Sequence, residues 1–276
     1  LVELARLVRV MGFRVAILKP YINGKLFIIR GARAKFIKYG RMQAQRLARL
    51  HSRGLTMVGF DPALTICYRD EYPALIPDCP EFKVLLPEEW LKDALVSSQF
   101  RAVEQRLGAE IKNVIAASRG AAGSAAAAAQ GAAGAGSTDA DSLHDSAIGP
   151  CSFADDFYLF CHCTEQALVP LSVRMWQDVL AHFGLRALPL PVACCGMAGL
   201  FGHMKSNQEE TRTVYEQNWK EHLTSRPFTQ CLITGFSCRS QVERMEHKRA
   251  NHPVHVLTML LEQASAAAAA AADRSA

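Results

Sequence analysis

The chain of 276 residues has no run of eighteen strongly apolar residues free of charge, and its alanine tail from Ala264 reads as too weakly apolar to span a bilayer. No transmembrane segment is therefore expected. It lacks G-x-G-x-x-G, a P-loop, a Ser nucleophile elbow and a C-x-x-C-x-x-C run. Those absences exclude the common dinucleotide, phosphate-cradling, acyl-transfer and ferredoxin signatures. Acids are scarce at the front: residues 1–60 carry thirteen Lys and Arg against Glu3 alone. That imbalance reads as a solvated basic face or as a docking surface for an acidic partner domain. No aromatic interleaving or nucleic-acid motif accompanies it, so nucleic acid is not an expected partner. The chain opens on Leu1 rather than Met and runs straight into a helical pattern, which reads as part of a longer protein.

Cysteine is plentiful. There are nine, seven of them after residue 150. An odd count in a chain this long is not a disulfide framework. The clustering points to metal or redox chemistry in a reducing intracellular compartment, cytoplasm or organelle matrix, and against secretion.

The periodicity predicts an α/β protein of two βαβ-type repeats, with parallel sheets and helices packed on them. The first repeat spans 1–115. Within it, 1–10 reads as a helix, 13–18 as a short strand and 32–51 as an amphipathic helix whose stripe includes Phe36 and Leu47. Strands follow at 55–60 and 82–86, each succeeded by a helix, the last running from Pro87 to about Val114. Residues 116–150 are Ala, Gly and Ser with a few acids, and read as a disordered linker that cannot bury enough surface to order itself. The second repeat, 151–263, has strands at 157–160, 185–193 and 230–235. Helices follow at 170–183, 207–223, 236–246 and 254–263. The tail, 264–276, reads as unstructured.

In this second half the sequence Val192-Ala-Cys-Cys-Gly-Met-Ala-Gly-Leu-Phe-Gly-His203 reads as a strand end, a glycine turn and a helix start. Cys163, the pair Cys194 and Cys195, and Cys238 each fall just past a predicted strand. Strand ends of a parallel sheet share one edge, where ligands bind, so four thiols converge from distant positions. Four thiolates suit a tetrahedral zinc or an iron–sulfur cluster, and helix N-termini nearby favour the anionic form. Gly196 lets the chain turn so that both sulfurs face one ligand. His162 and His203 lie near the same point, as partners of a sulfur or in proton transfer. Cys67, Cys79, Cys151, Cys161 and Cys231 read as core residues. A disulfide between Cys194 and Cys195 would need a strained eight-membered ring.

On these residues the second half resembles the cysteine-rich CCG domain of heterodisulfide reductases and of the iron–sulfur component of glycolate oxidase. The stretches His162-Cys-Thr-Glu165, Cys194-Cys-Gly-Met-Ala-Gly199, Gly202-His203 and Gly235-Phe-Ser-Cys-Arg-Ser-Gln241 are most similar to the C-terminal part of FAD- and [4Fe-4S]-linked D-2-hydroxyglutarate or D-lactate dehydrogenases. Val58-Gly-Phe-Asp-Pro-Ala-Leu-Thr65 and Tyr68-Arg-Asp-Glu-Tyr72 resemble the paired upstream repeat. The resemblance implies a [4Fe-4S] cluster or a zinc ion on Cys163, Cys194, Cys195 and Cys238. It implies FAD and ferredoxin-like domains upstream, and an electron acceptor. Two positions depart from the pattern: Leu64 stands about where the family has a cysteine in the first repeat, and Gly235 replaces the first cysteine of the final C-x-x-C. The site thus keeps four thiols and loses a fifth. The expected function is electron transfer within such a dehydrogenase, with the fragment inactive alone. A structural zinc module docking a flavoprotein, or a thiol–disulfide oxidoreductase, are the alternatives.

Overall fold

The computed structural model describes residues 1–129, 153 and 156–275. The first half runs α1 (Val2–Val10), α2 (Lys25–Ile29), α3 (Arg33–His51), β1 (Met57–Val58), α4 (Pro62–Arg69), α5 (Glu71–Leu75), β2 (Val84–Leu85), α6 (Pro87–Leu95) and α7 (Ser98–Ala129). The second runs β3 (Phe157–Phe160), α8 (Cys163–Leu168), α9 (Ser172–His182), β4 (Ala187–Pro189), α10 (Gln208–Tyr215), α11 (Glu221–Thr224), β5 (Cys231–Ile233), α12 (Phe236–Glu246) and α13 (Pro253–Ser275). Helix dominates, and every strand pair is parallel: β1 with β2, and β3 with both β4 and β5. This is the expected α/β class.

The second sheet has the order β4-β3-β5. Its central strand is apolar on both faces, and Phe157, Leu159 and Phe160 are all fully buried, as a strand covered on both sides must be. Leu232 of β5 also forms a parallel bridge with Asn251. The flanking strands lie either side of the first one in the chain, so the order reverses at β3. Its carboxyl end is the switch point where open parallel sheets bind ligands.

One core runs through both halves. It joins Leu4, Leu7, Trp90, Leu91 and Phe100 to Phe157, Trp176, Leu257 and Leu261. A second cluster, with Phe160, Tyr215, Trp219, Ile233 and Val242, encloses Cys195 and Cys238.

Several boundaries differ from the sequence expectation. Residues 13–18 form no strand; Val15, Ile17 and Leu18 are exposed, because no neighbouring strand pairs with them. The helix expected from Pro87 divides at Ser97, whose hydroxyl accepts the Phe100 N–H at 3.1 Å and so starts a new helix. That helix, α7, continues to Ala129, fourteen residues into the segment expected to be disordered. The rest of that linker, and Cys151, lie outside the described residues. The tail expected to be unstructured extends α13 to Ser275. Alanine has the highest helix propensity and simply propagates a helix already nucleated. Residues 253–274 are long and apolar enough to cross a membrane by length and composition. In this fold, however, Val254, Val256, Leu257, Leu260 and Leu261 are wholly buried in the core.

Candidate functional site: four thiols at one sheet edge

Cys163 begins α8 directly after β3, with His162 as its cap. Cys238 lies in the first turn of α12, which follows β5. Cys194 and Cys195 occupy the loop after β4. The three strand ends bring the four thiols to one place, where Cys194 interacts with Cys163 and Cys195, and Cys195 with Cys238. Cys195 and Cys238 are buried, while Cys163 and Cys194 are half-exposed. The site therefore has an open end and a closed end.

The vicinal pair sits on a constrained loop. Gly196 has φ +89°, and a Cβ there would lie 2.4 Å from the Thr211 carbonyl oxygen. Only glycine permits that conformation and that approach. Gly199 follows with φ +67°, and Ala198 between them also has positive φ. The loop is held from outside: Trp219 Nε1 donates to the Ala193 carbonyl at 3.0 Å, and Gln166 Nε2 donates to those of Cys161 and Val192. Thr211 Oγ1 donates to the Gly196 carbonyl. A short 3-10 turn, Phe201–His203, follows in place of the helix start read at the end of the motif, and α10 begins at Gln208, one residue from the expected 207.

Charge on this chain of thiols is concentrated at Cys194. Donation from Cys163, then from Cys195, draws the Cys194 thiol down to about 2, and the N–H groups of Gly196 and Ala198 assist. The Gly196 N–H lies 3.4 Å from its sulfur. Bonding to Cys194 in turn pushes the Cys163 and Cys195 thiols up, with burial adding to both. The neighbouring Arg239 is a cation whose guanidinium donates to the carbonyls of Ile233 and Thr234, at the end of β5.

His162 and His203 part company. His203 is exposed at the end of the 3-10 turn. His162 is buried, and burial lowers its pKa and favours the neutral ring. Its Nδ1 accepts the Thr164 N–H at 3.1 Å, which leaves Nε2–H to donate to Ser237 Oγ at 3.3 Å. Both nitrogens are thus used within the protein. One ring holds the start of α8 against the start of α12, the two helices that carry Cys163 and Cys238. At Gly235 a Cβ would stand 2.4 Å from His162 Cδ2 and 3.0 Å from Cys238 Sγ. The space of a fifth thiol is taken up by the histidine ring.

Behind the thiols lies a buried polar network that the sequence did not signal. Glu165 accepts Thr234 Oγ1–H at 2.6 Å and Trp176 Nε1–H at 3.2 Å, and Thr234 Oγ1 accepts the His162 backbone N–H. Ser172 Oγ bridges Glu165 and Glu88. One hydroxyl cannot donate to two carboxylates, so one carboxyl holds a proton. Burial, then the Glu165 charge, pushes Glu88 up to about 8; burial also raises Glu165. Glu88 belongs to the first half and Glu165 to the second, so the pair ties the halves together behind the sheet edge.

Four sulfurs suit a thiophilic metal by donor chemistry, and metal binding displaces thiol protons. Cys163, Cys194, Cys195 and Cys238 are the residues that would hold it. Among the described residues, however, no group of three or more His, Cys, Asp or Glu side chains is placed so that it could hold a metal ion.

The chain is similar to proteins named D-2-hydroxyglutarate dehydrogenase. It is 34% identical over 261 residues to that of Haemophilus influenzae and 33% identical over 261 residues to that of Escherichia coli. It is 35% identical over 250 residues to that of Pseudomonas putida. The first two matches cover 94% of this chain but 21% of the relative, and the third covers 90% and 19%. The chain thus spans about a fifth of the length of these relatives. No family model matches it. No solved structure matches it.

Proposed function

We propose that this chain is the thiolate-bearing module of a D-2-hydroxyglutarate dehydrogenase-type oxidoreductase, and that Cys163, Cys194, Cys195 and Cys238 hold a [4Fe-4S] cluster. The observation that carries the reading is the meeting of four thiols from three strand ends at the switch point of a parallel sheet. When bound, such a group would pass single electrons. The chain's own residues supply the thiolates, hold the loop rigid through Trp219 and Gln166, and enclose the Cys195 end in apolar surface. Oxidation of the 2-hydroxy acid belongs to an FAD-bearing part outside this chain, with a ferredoxin-like part and an electron acceptor beyond it. The basic first half would dock those parts in a reducing intracellular compartment. Purified without air, the protein should contain iron and sulfide, and its visible absorption should vanish in Cys195→Ala. A folded, colourless, iron-free protein would remove the cluster.

A second reading is favoured by one feature. The thiols interact directly with one another. Four thiolates around one zinc at about 2.3 Å stand about 3.8 Å apart, close to contact distance. In that case the ion is structural. One zinc per chain without iron would select this reading.

A further inference from the structure

The stretch Arg14-Val-Ala-Ile-Leu-Lys-Pro-Tyr-Ile22 has the β-branched and aromatic composition of a strand but forms none. All nine residues are exposed, with Ile17 at 55% and Ile22 at 52%. Among the described residues, no backbone group of this stretch bonds to another backbone group. Its Lys19 carbonyl accepts Arg46 Nη1–H at 3.1 Å. We propose that residues 14–19 are one half of a strand pair, and that an acidic edge strand of the flavin-bearing polypeptide adds to them. This deepens the proposed function and rests on it only for the identity of the partner.

Three observations carry it. First, the stretch is held at both ends and left open between them. Before it, Gln99 Nε2 donates to the Gly12 carbonyl, and the Phe13 ring meets Trp90 edge-on with centroids 5.3 Å apart. Towards its end, the Arg46 guanidinium stands 5.7 Å over the Tyr21 ring, and the Tyr21 hydroxyl lies 3.5 Å from Met42 Sδ. A segment fixed in this way loses little further entropy when a partner pairs with it. Second, apolar side chains alternate as a strand requires. Phe13, Val15 and Ile17 line one open hollow with Ala5 and Arg9 of α1, and the long Arg14 side chain reaches it too. Third, the charge is one-sided. Arg9, Arg14 and Lys19 are exposed here, and residues 1–60 hold one acid, Glu3.

The same facts decide among occupants. A second copy would set Arg14 and Lys19 of one chain near those of the other, and like charges across a strand pair repel. A bilayer would leave the unpaired N–H and C=O groups of residues 14–18 without partners in hydrocarbon. An acidic strand satisfies backbone, hollow and charge together, by addition to an open edge.

The test compares hydrogen exchange, amide by amide, in the 276-residue chain and in the protein purified at its native length. In the chain alone, the amides of residues 14–19 should exchange as fast as those of an unstructured peptide. At native length, alternate amides among them should slow by at least about tenfold, because a strand paired on one side uses every second N–H. A carbodiimide should then join Lys19 to an Asp or Glu outside the 276 residues. Ala16→Pro combined with Ile17→Pro removes a ladder donor in either register and should abolish both signals. Arg14→Glu combined with Lys19→Glu keeps the backbone donors and should abolish the slowing by repulsion. No slowing at native length would overturn the proposal. So would equal slowing of all these amides, which means cover without strand pairing. Slowing that grows with the concentration of the chain alone would assign the stretch to a second copy and overturn it. Sedimentation of the chain with phosphatidylglycerol vesicles, lost in Ile17→Asp, would assign it to a bilayer and overturn it too. Iron is measured on the same samples. Slowed alternate amides without iron sink the cluster reading alone, and iron without slowing sinks this one alone.

Discussion

The Asp61 carboxylate binds the starts of two helices at once: Oδ1 accepts the Leu64 N–H at 3.0 Å, and Oδ2 accepts the Phe236 N–H at 3.1 Å. The first bond caps α4 in the chain's first half. The second caps α12, which carries Cys238, in the second half. Asp61 stands just before Pro62 at the first helical position, the usual place for a local cap; nothing in the sequence marks the distant one. A lost N-cap costs about 1 kcal/mol and two share this side chain, so Asp61→Ala should lose roughly 1–2 kcal/mol. Asp61→Asn keeps one acceptor and should lose less. The urea midpoint measures both. An Asp61→Ala protein as stable as the wild type would mean that the bond to Phe236 is not formed.

Much of the site was legible because strand ends in a parallel sheet share an edge. That rule placed Cys163, Cys194, Cys195 and Cys238 together from position alone. The helix at 33–51 was legible from its stripe, and Phe36 and Leu47 are buried as the period requires. What sequence could not supply was tertiary choice. Residues 13–18 have the composition of a strand but no partner. The alanines after Ala264 have the composition of a linker but inherit a helix. His162 reads by proximity as a partner of a sulfur or a proton-transfer group, and its part in bracing two helices depends on where Ser237 falls, 75 residues away.

The close approach of His162 to Gly235 can be tested by a double-mutant cycle. Gly235→Ala puts a methyl group 2.4 Å from the ring, and overpacking of this kind costs about 1–3 kcal/mol. His162→Ala removes the bonds to Thr164 and Ser237 and is destabilising by itself. The double mutant has room for the new methyl group. Its loss should therefore be smaller than the sum of the single losses by about 1 kcal/mol or more, read from denaturant curves. Additive losses would show that the two positions do not meet.

The pairing of Glu88 with Glu165 through Ser172 makes stability depend on pH. Glu88 is pushed up to about 8 in the fold, by burial first and the Glu165 charge second, against about 4.3 in an unfolded chain. Between these values the folded protein holds a proton that the unfolded chain has released. The contribution is complete below the unfolded value and is lost as pH rises through about 8. Each pKa unit corresponds to about 1.4 kcal/mol, so the loss is at most on the order of 5 kcal/mol. Glu88→Gln has no proton to lose. Its melting temperature should fall less between pH 5 and pH 8.5 than that of the wild type. Parallel curves would place the proton elsewhere.

Two glycines separate backbone strain from crowding at the vicinal thiols. Gly54 has φ +74° with nothing within 4 Å of an added Cβ, whereas Gly196 has φ +89° with the Thr211 carbonyl oxygen 2.4 Å away. Alanine at residue 54 meets only the conformational term, about 1–2 kcal/mol. Alanine at residue 196 meets that term and must also push back the backbone of α10, which no side-chain rotation relieves. Gly196→Ala should therefore lose at least about 2 kcal/mol more than Gly54→Ala in urea unfolding. The displaced loop carries Cys194 and Cys195, so metal content should fall in Gly196→Ala and stay unchanged in Gly54→Ala. Equal stability losses in the two variants would show that the turn after Cys195 has slack, and that the approach to Thr211 does not fix the two sulfurs.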